Sequence, residues 1–399
     1  MKRKIGSFSL MKRMNTALIL NIIREKGSIS RIQLAAETGL TAATVTNITA
    51  ELIDNGLVTE FTTGLSTGGR KPIMLRINSE AFLVASAYIS PDKVEVAITD
   101  FGANIIFYKY LPIAETVTPG ECVDFIVNSL NKFKNKENRK IIGLGVALHG
   151  IVDSQEGTVI HAPNLGWKKV RIRELLEQKT DIPVIVDNDV RLMALAEIWF
   201  GTARYDESFV LLYVSRGVGS AVVIGGKLLR GFSDSAGEIG HCMIDPSGPV
   251  CECGKRGCLQ AFTNEKAMIG KLKENLHFSN ILSEASDCSD IVDAYLNHND
   301  KAATIVMENE IKYLKAGIST IINMINPELI VLNTDIRDFD IATIEELSKC
   351  AKESLFGGTA NECTVKYSQL GQRAVLKGAI ALVMSSVYDN PQSIWEKDN

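Results

Sequence analysis

Four residues near the middle of the 399-residue chain carry the donor atoms of a metal site: His241, Cys251, Cys253 and Cys258, within the stretch HCMIDPSGPVCECGKRGC. One imidazole and three thiolates make a tetrahedral N/S set that suits zinc and disfavours hard ions such as magnesium or calcium. Four protein ligands close the coordination shell and leave no position for an activated water, so the expected Zn2+ is structural rather than catalytic. Gly254 and Gly257 give the Cys-x-Cys segment and the cysteine five residues later the freedom to turn back on themselves. The alternatives are an accidental cluster or a redox pair. The cluster lies far in sequence from the basic N-terminus, which argues against a DNA-reading finger.

The eight cysteines fall at 122, 242, 251, 253, 258, 288, 350 and 363. Three are crowded together and the rest are scattered singly, which favours a metal site in a reducing cytoplasm over a disulfide framework. With 46% hydrophobic and 23% charged residues, the chain is an ordinary globular one, long enough for two or three domains. No segment approaches the roughly 18 apolar residues of a membrane span, and MKRKIGSFSLMKRMNTALILNIIREKG reads as an amphipathic helix rather than a signal peptide. Charge is uneven: residues 1–78 carry 11 Lys/Arg against 5 Asp/Glu, within a chain whose net charge is −4. A basic head on an acidic body points to a polyanionic partner for the head alone.

Within that head, Met14, Leu18 and Ile22, with Ile19 and Ile23 beside them, recur at helical spacing and predict a helix over about 12–25. SRIQLAAETGLTAATVTNITAELIDNGLV predicts two more helices around a tight turn. Ser30 and Gln33 form a capping-box pattern, Gly39 falls at the turn, Thr41 caps the third helix and Gly56 ends it. Val45, Ile48 and Leu52 are expected to face inward. Thr41, Ala42, Thr44 and Asn47 then present short polar or small groups to base edges in a major groove, with Arg31 nearby. LVTEFTTGLSTGGRKPIMLRIN predicts two strands and a Gly-rich tip bearing Arg70 and Lys71, placed for phosphate or the minor groove. The head, residues 1–80, is expected to be a winged helix-turn-helix. A helical dimerisation module with a merely solvated basic surface is the bland alternative.

From about residue 80, strand runs alternate with helices. AFLVASAYISPDKVEVAITDFGANII predicts a strand pair and PVIVDNDVRLMALAEIWFG a strand running into a helix, while SFVLLYVSRGVGSAVVIGGKLL repeats the strand-turn-strand form. The expected body is a duplicated α/β structure with a cleft between two lobes, 81–190 and 191–399, the C-terminal helix packing back on the first lobe.

APNLGW, VDNDV, AGEIGH and CECGKRGC occur in the order and spacing of the ROK family, which this chain resembles along essentially its whole length. That family holds sugar kinases and sugar-responsive repressors on an actin-like, sugar-kinase fold; the nearest resemblance is to repressors of the xylose-repressor and Mlc/NagC type. The resemblance implies that Asn164, Asn188, Asp189, Glu238 and His241 line a sugar cleft. There are two departures. Gln260 stands in GCLQ where the family usually has a sugar-binding Glu, and His149-Gly150 stands where Pro-Gly is common.

Kinases of the family wrap ATP phosphates in glycine-rich loops, because only glycine lets backbone N–H groups approach closely. The first such loop corresponds here to Tyr88, Ser90, Pro91 and Asp92, the second to Ser215, Arg216, Gly217 and Gly219, and the third to Asn333, Thr334 and Asp335. Most of the glycines are gone, although Asp189 matches the kinase general base. The expectation is a cytoplasmic, zinc-containing repressor, not an enzyme, that binds a double-stranded DNA operator as a homodimer or larger symmetric oligomer and responds to a sugar or sugar phosphate. An ATP-dependent sugar kinase with a DNA-binding extension, and a regulator answering to a protein partner, are the rivals.

Overall fold

The computed structural model describes residues 8–62, 73–113, 116–135, 137, 139–204, 208–334, 340–355 and 363–395. It divides into two compact units, residues 1–187 with 379–399 and residues 188–378.

The first unit opens with α1 (Phe8–Lys26), β1 (Ile29–Ser30), α2 (Arg31–Thr38), α3 (Ala42–Asp54), β2 (Val58–Thr62) and β3 (Ile73–Ile77). Ser30 and Gln33 cap each other's backbone at the start of α2, and Gly39 ends that helix at φ 69, a left-handed conformation costly for any residue with a Cβ. Thr41 caps α3 by accepting from Thr44 N–H. Strands β1, β3 and β2 form a three-stranded sheet in that order. This is the expected winged helix-turn-helix; the wing tip with Arg70 and Lys71 lies outside the described residues. Val45, Ile48 and Leu52 are buried as expected. The inward face of α1 is corrected: Thr16, Ile19, Leu20 and Ile23 are buried, whereas Met14 is 62% and Leu18 43% exposed.

The unit continues with β4 (Leu83–Ile89), β5 (Lys93–Asp100), β6 (Ile105–Pro112), α4 (Pro119–Lys134), β7 (Ile141–Leu148), β8 (Ile151–Asp153), β9 (Thr158–Ala162), β10 (Trp167–Val170), α5 (Ile172–Glu177) and β11 (Val184–Asn188). The expected strand pair after residue 80 is thus the start of a three-strand meander. Five strands form one sheet, β11-β7-β4-β5-β6, with β4 antiparallel to β5 and parallel to β7. β7 is buried along nearly its whole length, as a parallel strand covered on both faces must be.

The second unit holds α6 (Asp189–Phe200), β12 (Phe209–Val214), β13 (Val218–Ile224), β14 (Lys227–Leu228), α7 (Gln260–Thr263), α8 (Glu265–Asn275), α9 (Cys288–His298), α10 (Lys301–Ile325), β15 (Leu329–Thr334), α11 (Ile341–Glu353) and β16 (Thr364–Tyr367). Its sheet order is β14-β13-β12-β15-β16, with β12 antiparallel to β13 and parallel to β15. Taken from β16, the order matches that of the first unit strand for strand, so the duplication expected from the two β-rich openings is present in the topology. Beneath the second sheet α10 packs Ile311, Leu314, Ile318 and Ile322 into the core. The last helix, α12 (Ala374–Asp389), comes after β16.

Candidate metal centre and ligand cluster

The metal donors converge because the loop between His241 and Cys258 folds twice on itself. Isolated bridges pair Met243 with Cys258 and Val250 with Arg256, and Cys251 N–H donates to Lys255 O at 2.7 Å. Gly257, at φ 70, passes so close to the Asp245 carbonyl that any Cβ would collide with it. His241 Nδ1 stands 3.7 Å from Cys251 Sγ, and Cys253 Sγ stands 3.7 Å from Cys258 Sγ. All four donor atoms lie within 4.8 Å of one another. Thiolates at about 2.3 Å from a tetrahedral zinc are separated by about 3.8 Å, so the donor set and its spacing fit that ion. No cysteine is in a disulfide. Burial pushes the Cys258 thiol up to about 12 and raises that of Cys251, while the Lys255 N–H lowers that of the exposed Cys253.

One turn away in sequence, Glu238 belongs to a second cluster. Burial raises its pKa, opposed by His241 and Arg191 and reinforced by Asp189, so these four groups share one electrostatic environment. Asp189 is 1% exposed and its Oδ1 accepts from Val190 N–H at 2.9 Å and Asn188 Nδ2 at 2.9 Å. Asn188 is the N-cap of α6, its Oδ1 accepting from Arg191 N–H at 3.0 Å. Its amide is thereby committed to the helix start and to Asp189. Arg191 was not singled out from the sequence. It is 5% exposed, donates to the Asp234 carbonyl, and is the cation of the cluster. The signal was a charged residue inside the apolar helix VRLMALAEIW, and only the packing shows which way it points.

Gln260 is also buried, but its side chain is engaged: Oε1 accepts from Val218 N–H at 3.1 Å. The same turn, Ser215 to Val218, is fastened by Glu265 N–H to Ser215 O at 3.0 Å and by Asn264 Nδ2 to Arg216 O at 3.2 Å. Asn164 lies in the first unit, on the 3-10 turn Pro163–Leu165, where its Nδ2 is 3.3 Å from His149 Nε2. The two sequence features singled out there, Asn164 and the His149-Gly150 departure, are neighbours.

On the head, Thr41, Ala42 and Asn47 are exposed and Thr44 half-buried. Thr44 Oγ1 lies 2.9 Å from Thr41 Oγ1, so both hydroxyls serve the cap as well as the exposed face. Arg31 is tied inward: Nε donates to Thr49 Oγ1 at 2.9 Å and Nη2 pairs with Glu60 at 2.6 Å.

A winged-helix head on a duplicated five-strand α/β body, with a closed His/Cys3 loop beside a cluster of two carboxylates and Arg191, defines a DNA-binding chain built on a sugar-kinase scaffold. The chain belongs to the ROK family, whose profile matches residues 89–386; a winged helix-turn-helix DNA-binding profile matches residues 16–59. It is 29% identical over 398 residues to the xylose repressor of Caldicellulosiruptor bescii, covering 97% of this chain and 100% of the relative. It is 29% identical to the DNA-binding transcriptional dual regulator NagC of Escherichia coli, covering 95% of this chain and 94% of that one. A crystal structure of a ROK family transcriptional regulator, a homologue of the E. coli MLC protein, superposes with TM-score 0.84 at 27% identity over 95% of this chain and 97% of that one. The ROK hexokinase from Thermus thermophilus gives 0.66 at 25% identity over 77% of this chain and 100% of that one, consistent with the actin-like sugar-kinase body.

Proposed function

We propose that this chain is a sugar-responsive repressor of carbohydrate-use genes. Residues 1–80 read a palindromic operator in double-stranded DNA, the body assembling as a homodimer or larger symmetric oligomer whose two-fold matches that of the site. The lobes are assigned to residues 81–190 and 191–399. A sugar or sugar phosphate bound around Asp189, Glu238 and His241 alters operator affinity, and the effect is reciprocal by linkage; Asn164, Asn188 and Gln260 remain part of the proposed sugar set. The observation that carries the reading is the exposed face of α3, with Asn47 exposed on a capped helix whose opposite side is buried. The similarity to named repressors supports the same conclusion. A DNA partner and unpaired cysteines favour the cytoplasm.

Zinc in this reading is a brace, held by His241, Cys251, Cys253 and Cys258 and supplying fold stability rather than chemistry. Binding rather than phosphoryl transfer is favoured by the turns that correspond to phosphate loops. Two amides of the Ser215–Val218 turn are already satisfied, Ser215 N–H by Gly217 O at 2.9 Å and Val218 N–H by Gln260. In the turn after β4, Ser90 Oγ donates to Asp92 at 2.6 Å, which keeps a carboxylate where a phosphate would need donors.

A thermal-shift panel that includes D-xylose and N-acetylglucosamine, with their phosphates, tests the sugar. One member should raise Tm. Failure of all of them would leave a protein partner as the effector. Incubation with ATP, magnesium and the same sugars should release no ADP; steady release would overturn the non-enzymatic reading.

A further inference from the structure

The end of α12 lies against the head, in the first unit. We propose that Tyr388, together with Asn21 and Arg24 of α1, is a latch that fixes the orientation in which the head presents α3 to DNA. Tyr388 is 2% exposed, and its ring stacks on Phe101 with centroids 5.7 Å apart and planes 3° from parallel. Phe101 in turn meets Phe82 edge-on at 6.3 Å. The Arg24 guanidinium stands 5.5 Å from the Tyr388 ring centroid, within cation–π range. The Tyr388 carbonyl accepts from Asn21 Nδ2 at 3.3 Å, and the same nitrogen donates to Ala17 O at 3.0 Å. Residues 391–394, just beyond, also pack on α1.

These contacts are arranged as a positioning device rather than as general core. Asn21 and Arg24 are half-buried polar residues of the head, and each meets a different part of one tyrosine: carbonyl and ring. From α1 the constraint passes to the reading helix through α1–α3 packing and the Lys12–Glu51 ion pair at 2.8 Å. The helix that carries Tyr388 is also the element both units share, since residues 374–378 belong to the second unit and 379–389 to the first. In the second unit Gly378 abuts the carbonyl of Leu192 on α6, so closely that a Cβ there would collide with it. Leu192 lies three residues beyond Asp189. Tyr388 is therefore a positioning residue near the end of a helix whose first residues, 374–378, fall in the unit that holds the proposed ligand cluster. Its role in the response to sugar rests on the function proposed above; its role in holding the head does not.

The test uses the full chain and a DNA duplex selected by the wild-type protein from a random pool. Asn21→Ala and Tyr388→Leu should each weaken duplex binding by about tenfold, and Tyr388→Phe, which keeps ring and carbonyl, should stay within about twofold of wild type. With whichever of D-xylose or N-acetylglucosamine raises the wild-type Tm, all variants should keep that shift. In Asn21→Ala and Tyr388→Leu the ratio of duplex affinities with and without sugar should fall toward one. Wild-type duplex affinity in both Asn21→Ala and Tyr388→Leu would overturn the latch. If no sugar shifts the wild-type Tm, the effector reading fails by itself and the duplex affinities of the four proteins still decide the latch.

Discussion

Glu310 sits inside α10 with 1% exposure, and among the described residues neither of its carboxyl oxygens has a hydrogen-bond partner. Burial raises its pKa well above 4.5, so folding retains a proton that the unfolded chain releases. The penalty is absent below pH 4.5 and grows as pH rises above it. Glu310→Met should therefore stabilise the protein by about 1–3 kcal/mol at pH 7 and by clearly less near pH 4.5, as read by denaturant melts at the two values. The metal ligands behave oppositely. Cys258→Ser should abolish stoichiometric zinc in elemental analysis and lower Tm, as should a strong chelator on the wild type, because binding free energy at a structural site is folding free energy. The clustering of the four donor residues was legible in sequence because donor type and spacing are local facts. The engagement of Gln260 was not, because its partner Val218 is 42 residues away and the bond depends on how a turn and a helix start come together.

At the scale of elements, the capping residues of the head were readable because a cap is decided within four residues: Ser30 with Gln33, Gly39, and Thr41 all stand as the sequence predicts. The face of α1 was not. Apolar residues at 14, 18, 19, 20, 22 and 23 allow two overlapping stripes, and hydrophobicity alone cannot choose between them. Packing against α3 and β3 buries the one that contains Ile19, Leu20 and Ile23. Leu52→Ala on α3, at a fully buried site, should cost about 2–5 kcal/mol in head stability. Asn47→Ala, on the exposed side of the same helix, should leave stability near wild type and weaken operator binding by about 1–3 kcal/mol. Comparing thermal melts with duplex titrations separates the two faces.

At the scale of the molecule, two five-strand sheets of matching order come from a duplicated plan. The second copy carries the candidate metal loop, the carboxylate cluster and the 25-residue helix α10. A sugar that binds only the folded state should add about 2.7 kcal/mol of stability at a hundredfold excess over its Kd, visible as a saturable rise in Tm. Removal of residues 1–78 should abolish duplex binding while leaving that rise intact, since the cluster of Asp189, Arg191, Glu238 and His241 lies wholly within residues 188–378.

The amino-acid sequence by itself determined the family, the winged head, the metal donors and the duplicated strand pattern, because each is written in residue types at short, regular spacing. Only the tertiary structure decided which face of α1 is buried, that Arg191 joins the carboxylates, that Gln260 fastens a turn, that Arg31 is tied to Glu60, and that Tyr388 meets α1. The pairings of Arg31 with Glu60, Gln260 with Val218 and Asn21 with Tyr388 join residues 29, 42 and 367 positions apart. Such contacts arise from how sheets and helices pack, and no local pattern records them.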